Sequence, residues 1–469
     1  MHPCEGGRKL YPGLFGPVSR RDFLRGSARV AAGLPLASAV LAACKNPTKS
    51  VSGGGPSGSI NPALELARPD HPVTLPVDSG MMIKSGQDTS KSALAGTKLK
   101  VYNWVDYVSP RCVNKLFPEQ TGISVEVTTF NTISEAVSKL TTANLDFDVL
   151  MGVGKDILGR LVAAGLLRPL NHDYLPNLQN LWPMYSTPEG AFYDVGQQYT
   201  VPYTVFTTGI AYRVDKGPTS HIRMDLSPLE TQIPAMSNPY EIFWDTTYKG
   251  YTNLLDDYRD VPTMVLLKNG ANSTADVNTD DPSTRQADLL KMKTDLLECV
   301  HTVNPKFDNE DYTELPEATC YIHQAWSGDI ATVKWYYPGW SDKHPIRYWY
   351  PPDGRGAVGG DHMSILVNGK NPLAAHVFLN WMLDVDNAMV NFVWMGYPPP
   401  LKQIASPEQL TTDSTTPLRG KYGNYNAIPP ELANAIPLED QYKQGFAELE
   451  LSPEVDNEWK QIYEAAQTA

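Results

Sequence analysis

The chain has 469 residues, 42% of them hydrophobic, and a net charge of −13 at pH 7. Residues 1–43 carry six basic and two acidic residues, a net +4, so the remainder carries −17. A body that acidic excludes general electrostatic binding of nucleic acid, which needs a basic surface. It suits a soluble body, and it would draw cations into an acidic cleft.

Ser19-Arg20-Arg21-Asp22-Phe23-Leu24-Arg25 reads as a twin-arginine export signal. The apolar run 26–43 behind it is too short, and too interrupted by Gly, Pro, Arg and Ser, for a spanning helix. It ends in Leu41-Ala42-Ala43-Cys44, the pattern of a bacterial lipobox. The pattern predicts cleavage before Cys44 and a lipid on Cys44, which anchors a protein to a membrane without spanning it. No later window offers ~18 uninterrupted apolar residues. We therefore expect export by the twin-arginine route and lipid anchoring at the outer face of the cytoplasmic membrane, in the periplasmic space. Residues 44–97 are rich in Gly, Ser and Pro and read as a lipid-anchored flexible linker, its second part lying along the domain surface.

Cys4 falls in the signal. Cys112, Cys299 and Cys320 have neither CxxC spacing nor a His partner pattern, so no metal site is expected. An oxidising compartment permits one bridge. Cys299–Cys320 is the more local pair and would leave Cys112 a buried free thiol.

The roughly 370 residues beyond the linker exceed one ordinary core, so two lobes are expected. Residues 98–104 and 123–129 have the composition of strands. Thr132-Ile133-Ser134-Glu135 is a capping box, and Ile133, Ala136, Val137 and Leu140 then mark one helix face. Residues 147–151 form a short buried strand. Ile157, Leu158, Leu161 and Val162 stripe a helix that Gly165 can end in the left-handed region. Strands are expected at 208–214, 252–257, 319–326, 346–352 and 363–368. Asn371-Pro372 opens a helix with Val377, Phe378, Trp381 and Met382 on one face, ending near Gly396. The alternation argues an α/β fold with largely parallel sheets, where ligands sit at the carboxyl ends of strands.

Acids and rings gather at those ends. Trp104, Asp106 and Tyr107 follow the first strand, and Asp256, Asp257 and Asp260 lie in "LLDDYRDV". Trp326 and Asp329 follow "CYIHQ", Asp361 lies in "GGDHMSIL" and Tyr397 in "MGYPPP". A ring face attracts an ammonium or a methylene chain, and a carboxylate gives the same nitrogen a charge-assisted hydrogen bond. Such a set suits a linear diamine or polyamine. Taken one at a time, each has a plainer role. A strand-end ring packs in a core, Asp256, Asp257 and Asp361 suit turns, and Asp260 can pair with Arg259. An enzyme is a poor fit, because there is no G-x-S-x-G elbow, HExxH or P-loop. His172, His323 and His362 stand alone, and no cofactor is expected.

The runs "YNWVDYVSP", "FPEQTGISVEVTTF", "VPYTVFTTGIAYRVD", "FWDTTYKGYTNLLDDYRDV", "QAWSGDIATV" and "NWMLDVDNAMVNFVWMGYPPP" lie in order over about residues 98–400. In them the chain resembles the bacterial spermidine/putrescine-binding proteins, the extracytoplasmic receptors of polyamine ABC transporters. The resemblance implies a two-lobed, type II periplasmic-binding-protein-like α/β fold with the ligand cleft between the lobes. Lobe 1 would be 98–205 with about 359–402, and lobe 2 would be 206–358 with about 403–469. Hinges would fall near 202–208 and 350–360. It further implies that Asp106, Asp257, Asp260 and Asp361 hold ammonium groups while Trp104, Tyr107, Trp326 and Tyr397 flank the alkyl chain. The implied partners are a polyamine, the permease subunits with their cytoplasmic ATPase, and the membrane through the lipid, with no nucleic acid and a monomeric state.

Two departures stand out. At 151–156, where the family has Ser/Thr and Tyr, this chain has no ring and adds Lys155. Gly359 stands where the family has Trp. Other segments, such as 334–340, could supply the rings, or the ligand could be a modified amine, an amino-acid derivative held by Arg259 or Arg355, or a metal. An iron receptor is a further alternative, because Tyr336 and Tyr337 are adjacent.

Overall fold

The computed structural model describes residues 66–142, 145–217, 221–336 and 345–469. The export signal, the lipid site at Cys44, the first part of the linker and Tyr337 lie outside the described residues. From residue 66 the linker lies against the body. Leu75 is buried, Arg68 pairs with Asp280 at 2.9 Å, and Val73 N donates to Phe192 O at 2.8 Å.

β1 (Lys98–Trp104) and β2 (Ser124–Phe130) run parallel, from Lys98 opposite Ser124 to Trp104 opposite Phe130. α1 (Ile133–Thr142) starts where the Thr132 hydroxyl accepts from Glu135 N at 3.1 Å, which satisfies one of the free N–H groups of the first turn. β3 (Val149–Gly154) is buried almost throughout, as a two-sided strand must be. α2 (Lys155–Ala163) buries Ile157, Leu158, Leu161 and Val162, and Gly165 behind it has φ 67°.

β4 (Leu167–Arg168) precedes the long β5 (Thr200–Arg213). Then come β6 (Thr252–Leu254), α3 (Asp260–Lys268), α4 (Arg285–Val303), β7 (Lys306–Phe307), α5 (Asp311–Glu317), β8 (Ile322–Trp326), α6 (Ser327–Thr332) and β9 (Ile346–Trp349). β10 (Ala357–Leu366) leads to α7 (Pro372–Met382) and α8 (Val385–Met395). These two replace the one helix expected up to Gly396, because Asp384 turns to extended backbone and its side chain caps Asn387 N. The ladder β11 (Arg419–Gly420) with β12 (Gly423–Asn424), then α9 (Glu439–Gln444), β13 (Phe446–Ala447) and α10 (Pro453–Gln467), complete the chain.

The main sheet has the order β2-β1-β3-β10-β5-β8-β6-β7. It is mixed, which corrects the expectation of largely parallel sheets. β1 pairs parallel with β2 and β3, and β6 with β7 and β8. The middle is antiparallel, with β10 against β3 and β5, and β5 against β8. The reason is connectivity: β5 and β10 pass in opposite directions between the two halves. One apolar cluster gathers Leu99, Val101, Leu150, Leu158, Ile365 and Phe378. A second gathers Ile210, Phe243, Leu254, Val265, Leu296 and Trp459.

Cys112, Cys299 and Cys320 are all free and buried, so the expected Cys299–Cys320 bridge is not formed. The Cys299 thiol instead donates to Phe243 O at 3.2 Å.

Candidate functional site

In β5, otherwise buried from end to end, Phe206 is the one half-buried residue. The half-buried residues of β10 are Gly359 and Asp361, and that of β8 is Trp326. They mark one face, since side chains alternate along a strand. Thr204, Phe206 and Thr208 stand opposite Asp361, Gly359 and Ala357, and Trp326 stands opposite Thr208 on the other side. The run from Thr204 to Thr208 covers about 13 Å at about 3.3 Å per residue.

A carboxylate sits at each end of this run. At the first end the Tyr107 hydroxyl donates to Asp361 Oδ2 at 2.6 Å and lies 2.7 Å from Thr204 Oγ1. Tyr107 meets the Tyr397 ring edge-on at 5.0 Å. Burial lifts the Asp361 carboxyl to about 6 and pushes the Tyr107 phenol up as well. At the other end Asp260 opens α3. Its Oδ1 accepts from Thr208 Oγ1 at 2.7 Å and its Oδ2 from Trp326 Nε1 at 2.8 Å. Burial first, and then the charge of Asp257, lift Asp260 to about 7. Asp257 Oδ1 accepts from the backbone of Arg259 at 2.7 Å and of Asp260 at 3.0 Å. Burial raises Asp257 too.

Between the ends, the Phe206 ring packs on Tyr397 at 5.7 Å and fills the space that a side chain at Gly359 would need. Gly359 itself contributes no ring here, and the aromatic surface beside it comes from Phe206 and Tyr397. On the side of the first strand, Trp104 donates to Gly152 O at 2.6 Å. Gly152 has φ 73°, and a Cβ on it would strike Trp104 and crowd Tyr107. Asp106, half-buried between them in sequence, has φ 55°, a backbone region that Asp enters more readily than most residues. The structure therefore brings Trp104, Tyr107, Asp361 and Tyr397 into one group and Asp257, Asp260 and Trp326 into another. β5 joins the two groups, and Asp106 stands on the turn that carries Tyr107.

Two residues of this face went unread in the sequence. Phe206 was legible in principle, from the alternation Thr204, Phe206, Thr208. Glu448 follows β13 in the poorly matched tail, with no motif to mark it. Its Oε1 accepts from Thr263 Oγ1 at 3.0 Å. Burial and the nearby charge of Asp260 push its carboxyl well above the usual range, despite Arg259.

Neither arginine considered for a ligand carboxylate faces this run. Arg259 is buried, donating to Leu449 O and Asn278 Oδ1, each at 3.0 Å, and lying 4.9 Å from the Trp459 ring centre. Arg355 lies over Phe446 at 5.3 Å. The Lys155 ammonium is 3.3 Å from the Tyr442 hydroxyl and lies over the Tyr442 and Phe192 rings. That hydroxyl sits 2.9 Å from where a Cβ of Gly360 would be. Gly360 points to the opposite face from Asp361, so Lys155 is turned away from the carboxylates. His362 is structural, bonded to the Tyr193 hydroxyl at 2.7 Å.

Chemically, this is an aromatic-floored face between two carboxyls that neutral donors hold and that burial lifts above the usual carboxylate range. No helix among the described residues is long and apolar enough to cross a membrane.

Residues 114–417 match the family described as bacterial extracellular solute-binding protein. The chain is 26% identical over 368 residues to the spermidine/putrescine-binding periplasmic protein 1 of Haemophilus influenzae, covering 76% of this chain and 91% of that one. It is 27% identical to the putrescine/agmatine-binding protein of Pseudomonas aeruginosa, over 67% of this chain and 81% of that one. Among solved structures, the spermidine/putrescine ABC transporter substrate-binding protein PotD of Streptococcus pneumoniae superposes with a TM-score of 0.57 at 20% identity. That match covers 80% of this chain and 99% of PotD, and it gives the fold as that of type II periplasmic binding proteins. The chain belongs to the bacterial extracellular solute-binding proteins.

Proposed function

We propose that this protein is the ligand receptor of a polyamine ABC importer, working by capture and not by catalysis. The observation that carries this reading is the pairing of Asp361 and Asp260 at opposite ends of one face of β5, with Phe206 and Tyr397 between them. A linear α,ω-diamine or polyamine has the complementary shape, with charge at its ends and methylenes between. Trp104, Asp106, Tyr107, Asp257, Asp260, Trp326, Asp361 and Tyr397 line its site, joined by Phe206 and Glu448. The names of the Haemophilus and Pseudomonas relatives support the same ligand class.

In this account the two lobes, 98–205 with 359–402 and 206–358 with 403–469, close about β5 and β10 when the ligand binds. The closed form docks on the permease. The twin-arginine signal directs export, and the lipid on Cys44 holds the monomer at the outer face of the membrane. Calorimetric titration with putrescine, spermidine and spermine, with glycine betaine as control, tests this. Saturable binding of an amine supports it, and silence to all three refutes it.

A further inference from the structure

The strap of residues 66–76 lies outside the stretch that matches the family, 114–417, and it touches both halves of the molecule. Its later part packs on the first apolar cluster, to which Leu75, Phe192 and Tyr199 belong. Val195 N donates to Val73 O at 3.2 Å, and the Tyr199 hydroxyl donates to Pro76 O at 2.5 Å. Its earlier part reaches the other half. Arg68 Nε and Nη2 donate to the two carboxylate oxygens of Asp280, each at 2.9 Å. Asp280 lies just behind Val277, a member of the second cluster.

A second arginine makes the same crossing. Arg160 stands on α2, whose Ile157, Leu158, Leu161 and Val162 belong to the first cluster. It donates to Glu450 Oε1 and Leu451 O, each at 3.0 Å, and to Asp456 Oδ2 at 3.4 Å. Leu451 and Val455, beside those acids, belong to the second cluster. Lys460 also pairs with Asp456 Oδ2, at 2.8 Å, and the Tyr258 hydroxyl donates to Asp456 Oδ1 at 3.0 Å. Tyr258 follows Asp257, so this contact sits at the Asp257 end of the cleft. Burial holds the Glu450 carboxyl above the usual carboxylate range, against the charges of Arg160 and Arg68. The Arg68 and Asp280 side chains are only 16% and 28% exposed. A part-buried, bidentate arginine–carboxylate pair holds more firmly than an ordinary surface pair. Moving the halves apart would break both arginine contacts.

We propose that Arg68, carried by the strap, and Arg160, carried by α2, form a latch between the two lobes that biases them towards the closed arrangement. The proposal rests on the two-lobe reading above and not on the identity of the ligand. Where the closed form is the one that holds the ligand, its share of the molecules scales the apparent affinity. The strap therefore tunes capture without touching the ligand.

Small-angle X-ray scattering and calorimetric titration of the wild type, Arg68→Ala and Asp280→Asn, without and with spermidine, test it. Both variants are expected to fold and, without amine, to show a larger radius of gyration than the wild type. They are expected to bind spermidine about threefold more weakly, as a smaller closed share requires. Saturating spermidine should return both to the wild-type radius. Arg68→Ala combined with Arg160→Gln should open further than Arg68→Ala alone. A radius unchanged from the wild type in both folded single variants overturns the latch and leaves Arg68 a fastening of the strap. If the wild type binds no amine, the polyamine reading falls, and the radii measured without amine still decide the latch.

Discussion

Phe206 stands directly opposite Gly359 across β5 and β10, and its ring occupies the volume that any side chain at 359 would need. In the proposed site the Phe206 ring takes the place of a wall at 359. Phe206→Ala is expected to weaken amine binding about tenfold, consistent with one cation–ring contact of ~0.5–2 kcal/mol, and to leave the fold intact. Calorimetry and a thermal melt check both. Gly359→Ala is expected to lower the melting temperature, because its Cβ collides with that ring.

Asp260 and Asp361 make binding and stability depend on pH in opposite senses. Both titrate higher in the folded protein, at about 7 and about 6, than the roughly 4 of an unfolded chain. The empty folded protein therefore holds more protons than the unfolded chain between about pH 4 and 7. The contribution of these groups to stability is present at the acid end and falls as pH rises through that window. An ammonium ligand selects the ionised carboxylates, so affinity is expected to climb from pH 5 to pH 8. Melts and titrations across that range check both signs, and a flat affinity would count against the two acids as ligand contacts.

Asp257 is expected to matter twice. Its Oδ1 serves the backbone at the start of α3, so Asp257→Ala should cost about 1 kcal/mol of stability as a lost cap does. It should also weaken amine binding, because the acid end of the cleft loses charge. Asp257→Asn keeps the acceptor, so it should restore the melting temperature but not the affinity.

The cysteines are expected to be silent. Cys112, Cys299 and Cys320 are free and fully buried, and burial lifts the thiols of Cys112 and Cys299 to about 12. Reductant should leave the melting temperature unchanged. A thiol reagent should modify these residues only after denaturation.

How much of this was legible in the sequence follows from how local each feature is. β1, β2, α1 and α2 were, because period and caps lie within a few residues of one another. The groups around Tyr107 and Asp260 were visible as strand-end acids and rings. The break at Asp384 was missed because the apolar stripe continues across it, and the mixed sheet because strand direction is a property of the whole chain path. Phe206 became part of the site only through its register with Gly359, and Glu448 only because the chain returns at β13 beside β10. Lys155 looked like an intruder, yet the rings of Tyr442 and Phe192 hold its ammonium on the other face. No local pattern encodes these long-range pairings.

The most direct test of the central claim is calorimetric titration of the wild type and Asp260→Asn with putrescine and spermidine. One-to-one binding of an amine is expected in the wild type. The variant is expected to bind it at least a hundredfold more weakly, because leaving a buried ammonium unpaired costs ~3–5 kcal/mol. Absence of binding to either amine, or equal affinity in the two proteins, would contradict the account.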